Sequence, residues 1–110
     1  MSEAGYFTFI HTPYYQSRAK GLLTDEDQRE VEHLICEHPK VGDQQAGVRK
    51  LRVPLQGKGK SGGVRVVYFY IEKKGRVYLL DVFPKSEKAA LTKAEQNQMR
   101  KLAKLLENEP

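Results

Sequence analysis

The stretch VRVVYFYIEKKGRVYLLDVF, residues 64–83, is two β-prone runs joined by a short polar turn. Val64 to Ile71 and Val77 to Phe83 are dense in β-branched and aromatic side chains, which suit a pleated surface, and Lys73-Lys74-Gly75 supplies the reversal. The segment predicts an antiparallel hairpin. Just upstream, Val48-Arg49-Lys50-Leu51-Arg52-Val53 alternates as a half-buried strand does, which extends the hairpin to a three-stranded meander. Period two directs Leu51 and Val53 to the core and sends Lys50 and Arg52 together to the opposite face, about 7 Å apart. Pro54 and Pro84 close their strands, because proline cannot donate to a ladder.

Working outward, Tyr6 to Ile10 reads as a first strand ended at Thr12-Pro13, and Tyr14, Tyr15 and Arg18 fall on a short helix. Thr24 and Asp27 approximate a capping box, Val31, Leu34 and Ile35 keep helical spacing, and Pro39 stops the run, so a helix is predicted over 24–37. Residues 39–47 read as loop. At the other end Thr92 and Glu95 form a second capping box ahead of the stripe Met99, Leu102, Ala103 and Leu106, which predicts a final helix packed on the sheet. The fold class is α+β: a mostly antiparallel sheet with N-terminal helices and a C-terminal helix.

The 110 residues suit a single domain spanning 1–110, and 39% hydrophobic with 30% charged residues predicts a folded core under a well-solvated surface. No apolar run approaches a membrane span of about 18 residues, and the N-terminus lacks a secretory pattern. Cys36 is the sole cysteine, which excludes an intrachain disulfide and a cysteine metal cluster and fits a cytoplasmic location. His33 and His38 have no partner at ligand spacing, so no metal and no cofactor are expected.

The net charge of +5 is unevenly spread. Residues 1–47 carry four Lys/Arg against eight Asp/Glu, residues 48–76 nine against one, and residues 77–110 six against five. A contiguous positive stretch makes a local field that draws a polyanion, and RNA is the expected partner. Gly57-Lys58-Gly59-Lys60-Ser61-Gly62-Gly63 ends like a nucleotide-binding phosphate loop, yet position 54 is Pro and the segment leads into a strand rather than a helix. What remains is a cationic loop whose Lys58 and Lys60 can reach phosphates beside the face carrying Lys50, Arg52 and Arg65.

Arg49–Val53, Gly57–Tyr68 and Tyr78–Lys85, preceded by His38–Asp43, together resemble the RelE/ParE toxin superfamily, and within it the HigB-like toxins of bacterial toxin–antitoxin operons. The resemblance spans nearly the whole chain. It implies a microbial-ribonuclease-like fold, metal-independent cleavage of messenger RNA in the ribosomal A site, and neutralisation by a cognate helix-turn-helix antitoxin. It also implies that Lys50 and Arg52 stand for the family's basic strand residues, Arg65 for its phosphate-gripping arginine and Lys85 for the basic residue after the last strand. The chain departs from RelE itself at Ser86, where that toxin has arginine, and at about Thr92, where it has a stacking tyrosine. Two other readings of the same basic segment are a ParE-like gyrase-inhibiting toxin and a non-catalytic RNA- or ribosome-binding module.

In-line attack by a 2′-hydroxyl needs a proton acceptor, a clamp on the phosphoryl oxygens and a donor for the leaving oxygen. Arginine only clamps, because it keeps its proton, whereas lysine flanked by cations can accept one. Lys50 is the expected base, with Arg49 and Arg52 beside it, Arg52 and Arg65 hold the phosphate, and Lys85 serves the leaving oxygen. Lys58, Lys60 and Lys88 are expected phosphate contacts, and Phe83 a surface for base stacking or for core packing. Replacing Lys58 and Lys60 with Gln is expected to lower the magnitude of the log-affinity salt slope for ribosome binding by about 1–2, at roughly 0.7–0.9 per lost phosphate contact. An unchanged slope returns the loop to a plain hairpin link.

Overall fold

The computed structural model describes residues 7–40, 42–45, 47–55, 63–88 and 90–110. The order is β1 (Thr8–His11), α1 (Pro13–Lys20), α2 (Asp25–Glu37), β2 (Asp43–Gln45), β3 (Val48–Val53), β4 (Val64–Ile71), β5 (Arg76–Pro84) and α3 (Lys93–Glu107). The five strands form one sheet in the order β1-β5-β4-β3-β2. β3, β4 and β5 are the expected antiparallel meander, and β1 lies parallel to β5 on its far side. No helix among the described residues is long and apolar enough to cross a membrane.

Capping fixes where the helices begin. Thr12 precedes Pro13 and accepts the Tyr15 amide proton, so α1 starts where the sequence breaks. Thr24 with Asp27 and Thr92 with Glu95 are complete capping boxes, each satisfying two otherwise orphaned amides. The helices pack on opposite faces of the sheet. Tyr15, Val31 and Ile35 from α1 and α2 meet Val53, Val64, Val66, Tyr68, Val77, Leu79 and Val82, while Ala103 of α3 joins Leu91, Val48, Val67, Tyr78, Leu80 and Phe83. Each fully buried Val or Leu adds about 1.5–3 kcal/mol. Because both faces are covered, Val77–Phe83 is continuously buried instead of alternating.

One feature differs from the sequence reading, and another goes beyond it. Asp43–Gln45, expected as loop, pairs with Val48–Lys50 as an edge strand. Its polar residues carry no hydrophobic period, so only the backbone ladder defines it. The sequence reading leaves the partner of β1 open, and it is β5, in parallel: Thr12 donates to the Leu79 carbonyl from both its amide (3.2 Å) and its Oγ1 (2.9 Å), locking the end of β1 onto β5. Tyr6, placed at the start of that strand by the sequence, lies outside the described residues.

A buried phenol secures the loop ahead of β2. The Tyr68 hydroxyl donates to the Pro39 carbonyl (2.9 Å) and receives the Gly42 amide (3.4 Å). At the opposite end of the meander, Gly63 has φ +68, and a Cβ there would lie 2.1 Å from the Val53 carbonyl oxygen. The left-handed backbone alone costs a non-glycine residue about 1–2 kcal/mol, and the clash is with backbone that must move. Gly63→Ala is therefore expected to lower the unfolding free energy by about 3 kcal/mol or more in urea titrations. A loss under about 1 kcal/mol would mean that the entry to β4 relaxes freely.

Candidate nucleic-acid interface

Strand register brings the basic residues together. Arg52 on β3 is the direct partner of Arg65 on β4, and Arg65 is the partner of Phe83 on β5. One row up, Lys50 faces Val67, which faces Asp81. Val48, Val67 and Phe83 belong to the α3-side core, so period two assigns Lys50, Arg52 and Arg65 to that same face. Val48, Val67, Tyr78, Leu80 and Phe83 share the α3-side core, and on that same face Arg52 is exposed. Directly opposed residues have Cβ atoms about 4.5–5.5 Å apart, where like charges repel. The Arg65 Nη1 is nonetheless buried, with no hydrogen-bond partner among the described residues. Two arginines on paired strand positions, one with a buried Nη1 that has no partner among the described residues, are chemically suited to an anion.

The remaining expected residues fall into three groups. Lys85 is exposed on the turn after β5, and its amide points at the Gly63 carbonyl at 3.5 Å, next to the start of β4. Lys58 and Lys60 lie outside the described residues. Phe83 is fully buried, and Lys88 Nζ sits 4.7 Å from its ring centre, so the ring takes the core-packing role and offers no open face to a base. Lys88 is itself bonded to Glu95 in the first turn of α3. That bond, together with the Thr92 amide, holds the Glu95 carboxyl below its ordinary range.

Arg49 does not join the cluster. It shares the other face with Leu51 and Val53, and its Nη1 donates to the carbonyls of Lys40 (2.8 Å) and Gly42 (2.9 Å). The expectation that Arg49 flanks Lys50 is corrected by strand period: adjacent residues point to opposite faces.

A charge cluster around the end of β5 was not singled out from sequence. Arg18 of α1 donates through Nε to the Val82 carbonyl (3.1 Å) and through Nη2 to both oxygens of Glu87 (3.0 and 2.8 Å), with Asp81 Oδ1 3.6 Å away. Asp81 is 2% exposed and accepts the Val82 amide. A cleft of about 450 Å³ between the start of α1 and α3 reaches it from the strand edge. The available signal was a lone acid inside an otherwise apolar run. Among the described residues, no three His, Cys, Asp or Glu side chains gather to hold a metal ion.

Comparison with known proteins agrees on the fold. Residues 16–109 match the family model described as the RelE toxin of the RelE / RelB toxin-antitoxin system. The structure is similar to that of an E. coli RelE toxin variant with two arginines replaced, in the free state: TM-score 0.60, 18% identity, covering 86% of this chain and 96% of that one. It is similar to the intact E. coli RelBE toxin–antitoxin complex at TM-score 0.51 and 19% identity, over 72% of this chain and 95% of that one. The isolated E. coli RelE toxin gives 0.50 and 16%, over 88% and 98%.

Burial pushes the Asp81 carboxyl above its ordinary value of 3.8, outweighing the Val82 amide, Arg18 and Lys88, which pull it down. The folded protein thus keeps this proton to higher pH than the unfolded chain does, and the stability it contributes is lost as pH rises through the folded value. Asp81→Asn, with no proton to lose, is expected to gain in stability relative to wild type as pH climbs from about 4 to about 7. Denaturation across that range measures the difference, and a constant offset would mean that burial does not shift the carboxyl.

Proposed function

The chain belongs to the RelE toxin family, and on that premise we propose that it is a ribosome-dependent endoribonuclease, of the HigB-like branch, that cuts messenger RNA in the A site and stops translation. The observation that carries this reading is the Arg52–Arg65 pair on the same strand face as Lys50, the Arg65 Nη1 being buried with no partner among the described residues. Two like charges held side by side cost stability in the free protein, and a phosphate between them removes the repulsion and supplies the missing acceptor.

In this mechanism Arg52 and Arg65 grip the phosphoryl oxygens as charge builds in the transition state. Lys50 accepts the 2′-hydroxyl proton, the 2′-oxygen attacks phosphorus in line, and the 5′-oxygen leaves with a proton or charge stabilisation from Lys85, giving a 2′,3′-cyclic phosphate. Lys58 and Lys60 hold neighbouring phosphates. Phe83 and Lys88 support the site from beneath, a role favoured by the buried ring and the bond from Lys88 to Glu95. One similar structure is a toxin–antitoxin complex, which supports an antitoxin partner; in this reading the antitoxin is a helix-turn-helix protein that covers the basic face with acidic or apolar residues.

No histidine lies in the strands that carry these cations. Lysine titrates near 10.4 in isolation and imidazole near 6.5, so the free protein is poorly equipped for proton transfer at neutral pH. The ribosome compensates by holding the RNA backbone in an attack-ready geometry, a contribution of up to about 7–11 kcal/mol. The expected result is efficient cleavage of messenger RNA in a programmed ribosome with an empty A site and little cleavage of the same RNA alone. Arg65→Ala should lower the ribosomal rate by about two to three decades, or about 2.7–4 kcal/mol, without unfolding the protein. Mapping of 5′ ends provides the measurement. Cleavage by Arg65→Ala at the wild-type rate would remove the clamp from the mechanism. No cleavage by wild type in either setting would favour a non-catalytic ribosome-binding module or a gyrase inhibitor.

A further inference from the structure

The segment after β5 is fastened at both flanks by helices from opposite faces of the sheet. On one flank Arg18 of α1 binds the Val82 carbonyl and both carboxylate oxygens of Glu87. On the other, Lys88 bonds Glu95 of α3 and lies over the Phe83 ring. Phe83 closes the Arg52–Arg65–Phe83 row, so the Lys88 tie ends on that row and the Arg18 tie reaches Val82, the residue next to it. Between them is Lys85, exposed, with its amide directed at Gly63, while the Glu87 amide donates to the Pro84 carbonyl at 3.0 Å.

We propose that Arg18, acting through Glu87, is a positioning residue: it holds the turn that carries Lys85 against the Arg52–Arg65 pair while touching no RNA itself. The proposal rests on the ribonuclease reading above. Arg18 divides two nitrogens between two partners, Nε to the Val82 carbonyl and Nη2 to both Glu87 oxygens, so the planar guanidinium fixes orientation as well as distance, which a single lysine bond does not. The Arg18 and Glu87 side chains are 27% and 40% exposed, and ion pairs so open to water add little to global stability. Their value is local. A displacement of about 1 Å in a reacting group costs on the order of a hundredfold in rate, so a tie worth little to the fold is worth much to the placement of Lys85.

Glu87 is the position to change, because removing Arg18 would also strand the buried Asp81 carboxyl 3.6 Å away. Glu87→Ala and Glu87→Asp, in the full chain, are assayed for kcat and KM on programmed ribosomes, for thermal midpoint, and for amide hydrogen exchange at Lys85 and Glu87. The expected result for Glu87→Ala is a fall in kcat of ~10-fold or more with KM within about twofold. Its midpoint should stay within about 4 °C of wild type, and exchange should be faster at those two amides. Glu87→Asp, which keeps the charge on a shorter arm, should recover part of kcat. Wild-type kcat in Glu87→Ala would overturn the proposal, as would a change confined to KM, which would make Glu87 an electrostatic modulator of RNA binding. Unchanged amide exchange would also overturn it, because the turn would then not depend on the tie. A wild-type protein inert on the ribosome is a different failure: it defeats the functional reading, and the positioning role falls with it.

Discussion

The pairing of β4 with β5 withdraws the backbone of two long strands from water, and it succeeds because every apolar side chain from Val77 to Phe83 is buried in one of the two cores. α1 and α2 cover one face of that pair, and α3 with Leu91 covers the other. A sheet wet on one side would have left Tyr78, Leu80 and Phe83 exposed. The two cores therefore depend on each other through the strands they share. A register shift beside Val67 and Tyr68 accommodates one extra residue on β5, and past it Asp81 falls opposite Val67. Without that irregularity Phe83 would not stand beside Arg65, nor would the strand end where Arg18 meets the Val82 carbonyl.

Placement of the basic residues follows from how the helices divide the sheet. α3 and Leu91 share a buried core with Val48, Val67, Tyr78, Leu80 and Phe83 on one face of the sheet. The same face carries Arg52 and Arg65, opposed on neighbouring strands, with Phe83 beside them. Like charges in that arrangement work against folding, so the stability must come from elsewhere: the buried ladder, the two capping boxes and the Tyr68 bond to Pro39.

The meander and the helices were legible in the sequence because they rest on local signals. Alternation over 48–53, the β-rich runs at 64–71 and 77–83, and the Thr24 and Thr92 boxes each declare themselves within a few residues, and the structure keeps all of them. The candidate cations were also legible as a basic segment, and strand period alone was enough to put Lys50 and Arg52 on one face. The same period, applied to Arg49, would have removed it from the cluster at once.

Other features needed the tertiary structure because they arise between residues far apart in the chain. Nothing near Asp43–Gln45 announces an edge strand, since polar side chains give a ladder no period. Thr12 finds Leu79 and Arg18 finds Glu87 across separations of 67 and 69 residues, which no local pattern encodes. Phe83 was readable as either a stacking surface or a core residue, and only the closure of Leu91 and α3 over that face decided for the core. The sequence by itself determined which segments become strands and helices and where positive charge accumulates, through propensity, period and capping. The tertiary structure alone decided that Arg65 opposes Arg52, that Arg49 lies on the other face, and that Asp81 is buried beside Arg18, because strand register and helix docking are set by the whole chain at once.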